Sequence, residues 1–221
     1  MHSVSHTAFN PLDRLSLGES VAGALLKEAV GPLPPSSRFV GAGIYAIYYV
    51  GDFNAYRPIA DRNRQGKFEQ PIYVGKAVPK GARKGGFGLG ATKEPALHAR
   101  LREHARSIRA TRDLNVSDFS CRYLVAEDIW IPLGESLLIA RFRPLWNVLL
   151  PGFGIHAPGK GRKKQVCSNW DTVHPGRNFA AKLPPNPKNA PELLRLVADL
   201  FEGKAVPTIS PEQAVTEEGE E

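Results

Sequence analysis

Six side chains, read in chain order, have types and spacings that could act together. Tyr45 lies in Gly43-Ile44-Tyr45 and Tyr73 in Tyr73-Val74-Gly75, both inside apolar stretches that read as strands. Arg100 and His104 stand four apart in a helical pattern, so they share one face and flank Leu101. Glu135 opens a later helix after Pro132 and Gly134, and Asn147 follows that helix, three residues past Pro144. A carboxylate ligates a hard cation. A guanidinium forks onto an oxyanion. A phenol with a pKa of about 10 is a poor base alone, but an imidazole can take its proton. Each residue also has an ordinary reading. A strand Tyr packs, a helical Arg is solvated, His104 borders the core, Glu135 meets a helix dipole, and Asn147 caps or turns the chain. Only the ordered set is informative.

Those residues need elements to hold them. Strands are expected at 38–51, 71–78 and 119–127, where β-branched and aromatic residues cluster. Helices are expected at 17–30, about 95–110, 133–143 and 191–202. The helix from Pro95 has an apolar stripe of Leu97, Leu101, Ala105 and Ile108, and the one carrying Glu135 stops at Pro144. Residues 1–15 read as a loose arm, 31–37 as a stiff connector, 52–70 as a polar inserted loop, and 157–188 as irregular. The order strand, strand, helix, strand, helix suits a small mixed α/β sheet with helices packed on it, its first two strands hairpin-paired across the insertion.

Charge narrows the class. The 221 residues carry 29 Lys+Arg against 22 Asp+Glu, a net of +7. The last eleven residues hold five Glu and no base, so residues 1–210 carry 29 bases against 17 acids, a net of +12. Residues 57–112 hold 14 bases and 4 acids, and residues 159–188 hold 7 bases and one acid. Both blocks are glycine-rich. Glycine lets backbone N–H groups approach phosphates, and Lys and Arg release counterions, so the expected partner is a polyanion. The acidic tail reads as disordered. Two Cys exclude a disulfide scaffold. No apolar run has membrane-span length, and VAGALLKEAV is broken by Lys27 and Glu28, so a soluble cytoplasmic protein is expected. GGFGLG at 85–90 is not a GxGxxG loop, and Cys167, His174 and His156 lack zinc spacing. His156, Asn169 and His174 have a His-Asn-His order without the hairpin–helix context of a ββα-metal nuclease.

Taken together, GIY…YVG, R-x-x-x-H on a helix and E-x8-P-x-x-N resemble the GIY-YIG nuclease superfamily over residues 38–150. FVGAGIYAIYYVGDF, PIYVGKAVPKGARKG and GFGIHAPGKGR…SNWDTVHPGR are similar to its type II restriction endonuclease branch. The members it looks closest to cut the palindrome CCGCGG. Two departures stand out. Tyr45 and Tyr73 are 28 positions apart, which implies the insertion at 52–70, and YIG reads YVG, a one-methylene change.

The resemblance implies an α/β (α+β) fold: a small mixed or antiparallel sheet flanked by helices, with loop-rich DNA-binding extensions. It divides the chain into an arm and helix (1–37), a nuclease core (38–150), a basic extension (151–190) and a C-terminal helix with acidic tail (191–221). It implies site-specific, Mg²⁺-dependent hydrolysis of duplex DNA. Glu135, the only acid of the six, would hold one Mg²⁺ per site. Tyr45 would act as general base or orient water, with His104 receiving its proton. Arg100 would bind phosphate oxygens, Tyr73 would contact phosphate or water, and Asn147 would brace the site. DNA contacts are expected from Lys76, Lys80, Arg83, Lys84 and Lys93, and from Arg162, Lys163, Lys164 and Arg177. A double-strand cut implies a homodimer on DNA, and a restriction system implies a cognate DNA methyltransferase. A repair, recombination or homing nuclease on the same core, and a non-catalytic nucleic-acid-binding protein, are the competing readings.

Overall fold

The structure is a computed structural model that describes residues 10, 13–78, 94–155 and 165–217. Its elements are β1 Gly31–Pro32, β2 Gly43–Tyr49, β3 Tyr73–Ala77 and β4 Phe119–Val125, with α1 Arg14–Lys27, α2 Arg57–Asn63, α3 Ala96–Ala110, α4 Ile131–Phe142, α5 Leu145–Val148, α6 Asn169–Val173, α7 Ala190–Phe201 and α8 Pro211–Glu217. The strands form one sheet in the order β1-β4-β2-β3, every neighbouring pair antiparallel. The expected α/β architecture and the hairpin pairing of the first two long strands are both present.

Strand β2 is buried along its whole length, because helices cover both faces of the sheet. Alternation divides its side chains. Tyr45, Ile47 and Tyr49 enter one core with Tyr73 and the stripe Leu97, Leu101, Ala105 and Ile108 of α3. Ile44, Ala46 and Tyr48 enter a second core with Val74, Leu25 of α1, and Leu138 and Ile139 of α4. The two motif glycines are fixed by close approach. A Cβ on Gly43 would lie 1.9 Å from the Leu124 carbonyl oxygen. One on Gly75, which faces Tyr45 across the ladder, would lie 2.5 Å from the Tyr45 hydroxyl.

Strand β3 is the sheet edge, and the turn after α4 covers it. The Trp146 N–H donates to the Ile72 carbonyl at 3.0 Å. The Asn147 side chain then accepts from the Val74 N–H at 2.9 Å and donates to the Val74 carbonyl at 2.8 Å. An exposed edge of unpaired groups is thereby closed.

Four expectations need correction. The insertion at 52–70 is not all loop. Pro58 sits at the start of α2, and Tyr56, Ile59, Ala60 and Asn63 recur on one buried face. Asn63 donates to the carbonyls of Tyr49 and Gln70 and accepts from the Gln70 N–H, which folds 64–70 back on β2. The connector after α1 contributes β1, whose two residues pair with Ser120 and Cys121. The stretch 165–188, expected to be irregular, contains the short helix α6, and its Trp170, Val173, His174 and Arg177 are buried against the core. The acidic tail is not disordered throughout. Ser210 and Gln213 exchange side-chain and backbone hydrogen bonds as a capping box, and Ala214 of α8 is buried against the α4 side of the sheet.

Candidate active site

Tyr45 and Tyr73 lie on the paired strands β2 and β3. His104 bonds to the first strand, Glu135 and Asn147 bond to the second, and Arg100 shares the helix of His104. Tyr45 projects into the first core, where its hydroxyl lies 2.6 Å from His104 Nε2 on α3. The bond is between two buried groups. Tyr73, on the neighbouring strand, meets His104 edge-on with ring centroids 5.1 Å apart. Phe153 stacks on the imidazole at 4.5 Å. The ring is therefore held in one plane, with Nε2 aimed at the phenol.

Arg100 stands one turn before His104 on α3, as its spacing requires. Its guanidinium donates to the Gly154 carbonyl at 2.8 Å and lies 3.7 Å from Glu103. The segment 152–155 thus touches the site twice, through Phe153 on His104 and Gly154 on Arg100.

Glu135 lies on the other side of the β3 edge. Its side chain is fully buried in α4, and its Oε2 receives the Lys76 ammonium at 2.5 Å. Lys76 shares the face of β3 that Val74 uses, so alternation directs it toward α4. In the structure without DNA its ammonium is turned inward to the carboxylate. The Asn147 side chain holds β3 through the Val74 backbone.

Arg177 is a second departure. It is buried, and its guanidinium grips Asp171 with both ends, Nε to Oδ1 at 2.7 Å and an Nη to Oδ2 at 2.6 Å. The remaining N–H groups donate to the carbonyls of Gly152, Phe153 and Ile155. Trp170 and Phe179 cover the plane, at 4.7 and 4.8 Å. All its donors are spent inside the protein, so it is a clamp on segment 152–155 rather than a nucleic-acid contact. Sequence charge cannot separate those two fates. Lys80, Arg83, Lys84, Lys93, Arg162, Lys163 and Lys164, with His156, lie outside the described residues.

One buried network was not anticipated. His174 Nε2 lies 2.5 Å from the Tyr56 hydroxyl, and Nδ1 lies 2.7 Å from Asp113. Trp146 Nε1 donates to the same hydroxyl at 3.1 Å. Complete burial pushes the Tyr56 phenol above its ordinary range, so it stays protonated. The imidazole thus bridges the Tyr56 hydroxyl and the Asp113 carboxylate. The chain ties α6 to the insertion and to the turn after α3. No sequence spacing marks it, because its members come from four separate segments.

An antiparallel sheet whose GIY tyrosine meets the histidine of R-x-x-x-H, with a buried glutamate at its edge strand, defines a GIY-YIG nuclease core. The family model described as the Eco29kI GIY-YIG domain matches residues 37–201, which is 165 of the 221 residues. The chain belongs to this family of restriction endonucleases, a nuclease domain with DNA as its substrate. The match continues past Asn147 to the end of α7, through the segment that Arg177 and His174 anchor. No curated protein sequence matches the chain. No helix among the described residues is long and apolar enough to cross a membrane.

Proposed function

We propose that the protein is a type II restriction endonuclease, a Mg²⁺-dependent homodimer that cuts both strands of DNA at a GC-rich palindrome. The observation that carries the reading is the Tyr45–His104 hydrogen bond, beside Arg100 and across the β3 edge from a buried carboxylate. The CCGCGG site of similar enzymes is the first candidate sequence.

The donor set fits Mg²⁺. Glu135 is a buried carboxylate that already faces a cation, the Lys76 ammonium. Among the described residues no group of three or more His, Cys, Asp or Glu could hold a metal ion. A single carboxylate suits an ion that keeps most of its water and takes phosphate oxygen. Glu135 would hold one Mg²⁺ per site, and the ion supplies charge neutralisation at the phosphate and the leaving oxygen. The protein's own groups do the rest. Tyr45 takes the proton of the attacking water while its phenolic proton passes to His104 Nε2. Phe153 keeps the imidazole aligned for that transfer. Arg100 exchanges its carbonyl contact for the non-bridging oxygens as charge builds on them. Tyr73 offers its hydroxyl to the phosphate or the water. Asn147 holds β3, and with it Tyr73 and Lys76, in register.

Recognition falls to the two basic segments, with Lys or Arg reaching guanine O6 and N7 in the major groove. A cognate methyltransferase would protect the host's own copies of the site. Digestion of a large plasmid with Mg²⁺ or with EDTA, followed by sequencing of the ends, tests the proposal. Discrete fragments in Mg²⁺ alone support it. A smear, or nicking at branched substrates, moves the activity to the repair class. Intact plasmid after long incubation removes catalysis altogether.

A further inference from the structure

The Lys76–Glu135 pair carries an inference about how the site takes up its metal, and it rests on the endonuclease reading above. Glu135 is fully buried, and an ionised carboxylate cannot remain in such a place without a compensating charge. The compensation is internal. Lys76 Nζ sits 2.5 Å from Oε2, with the lysine itself only 16% exposed. The ammonium therefore stands where a ligand of that carboxylate would stand.

We infer that Lys76 is the resident counter-ion of Glu135 and that a divalent cation must displace it to reach the carboxylate. Lysine suits this role. Its ammonium is a point charge on a flexible four-carbon stem and can withdraw, whereas an arginine fork would grip both carboxylate oxygens. Two consequences follow. The protein without DNA binds divalent cations weakly, because each binding event must break an ion pair. DNA strengthens metal uptake, because a phosphate gives the displaced ammonium a new partner. Lys76 is thus a positioning residue that acts through Glu135, and it couples metal loading to the presence of substrate.

The test is Mn²⁺ binding to the full-length protein without DNA, read by paramagnetic resonance of free Mn²⁺, for wild type, Lys76→Met, Lys76→Arg and the double variant K76M/E135Q. Lys76→Met is expected to bind Mn²⁺ roughly tenfold more tightly than wild type, about 1.4 kcal/mol, and the gain should vanish in the double variant. Its melting temperature should fall in EDTA and recover with Mn²⁺ by more than that of wild type. An affinity within threefold of wild type overturns the inference, as does absence of binding in both proteins. Should Lys76→Met fail to fold, Lys76→Arg decides. Several-fold weaker binding supports the displacement, and equal or tighter binding overturns it. Failure here is distinct from failure of the endonuclease reading. Wild-type protein that cuts no DNA sinks that reading without touching the Mn²⁺ comparison.

Discussion

The side chain of Asn147 pairs with the backbone of Val74 as a neighbouring strand would, accepting from its N–H at 2.9 Å and donating to its carbonyl at 2.8 Å. One side chain thereby finishes the sheet at the strand that carries Tyr73, Gly75 and Lys76. Replacing Asn147 with Ala leaves a buried donor and acceptor of β3 without partners, at about 1–3 kcal/mol each. We expect Asn147→Ala to lower stability by about 2–4 kcal/mol in urea unfolding. Asn147→Asp keeps the acceptor but sets a carboxylate oxygen against the Val74 carbonyl, and should be no better. An alanine variant as stable as wild type would show that the edge needs no such cover.

Tyr45 and His104 form the pair that moves a proton in the proposed reaction, so they should behave as a unit. Tyr45→Phe and His104→Ala should each slow single-turnover cleavage about 10²–10⁴-fold, the range for a general acid–base group. The double variant should be little slower than the worse single one, because groups acting together are not additive. Full additivity in that cycle would separate the two roles.

Gly75 tests the same pair without touching either residue. A Cβ there would lie 2.5 Å from the Tyr45 hydroxyl and 2.8 Å from Cζ, so the phenol must move away. Overpacking of this kind costs about 1–3 kcal/mol. Gly75→Ala should fold with a modestly lowered melting temperature and cleave about 10²-fold more slowly, as a misplacement of about 1 Å can cause. Unchanged cleavage would mean that the position of Tyr45 is not critical.

Arg177 and the basic segment before it should fail in different ways. Breaking the buried Arg177–Asp171 pair should cost about 3–5 kcal/mol, because Asp171 is left buried and uncompensated. Arg177→Met should also slow cleavage, since it releases segment 152–155 from His104 and Arg100, while leaving the salt dependence of DNA binding unchanged. Replacing Arg162, Lys163 and Lys164 together should do the reverse. Stability should hold, and the slope of log affinity against log salt should become shallower by about 0.9 for each DNA phosphate the variant no longer neutralises. Affinity measured in a salt series separates these cases.

The sequence by itself determined the three long strands, the four long helices and the ordered set of six residues. Alternation along β2 and the stripe on α3 are local periodicities, and a chain with those patterns has one economical way to bury them. Spacing also put Arg100 and His104 on one face, because a helical turn fixes that relation wherever the helix lies. Short helices were less legible. α2 and α8 lack an extended periodic pattern and are held by tertiary burial of Tyr56, Ile59 and Ala214. The tertiary structure alone decided which charges face inward. Lys76 and Arg177 look like their basic neighbours in the chain, yet one compensates Glu135 and the other clamps Asp171. Charge is a property of composition, whereas the partner of a charge is set by residues 59 and 6 positions away that only the fold brings within hydrogen-bond reach.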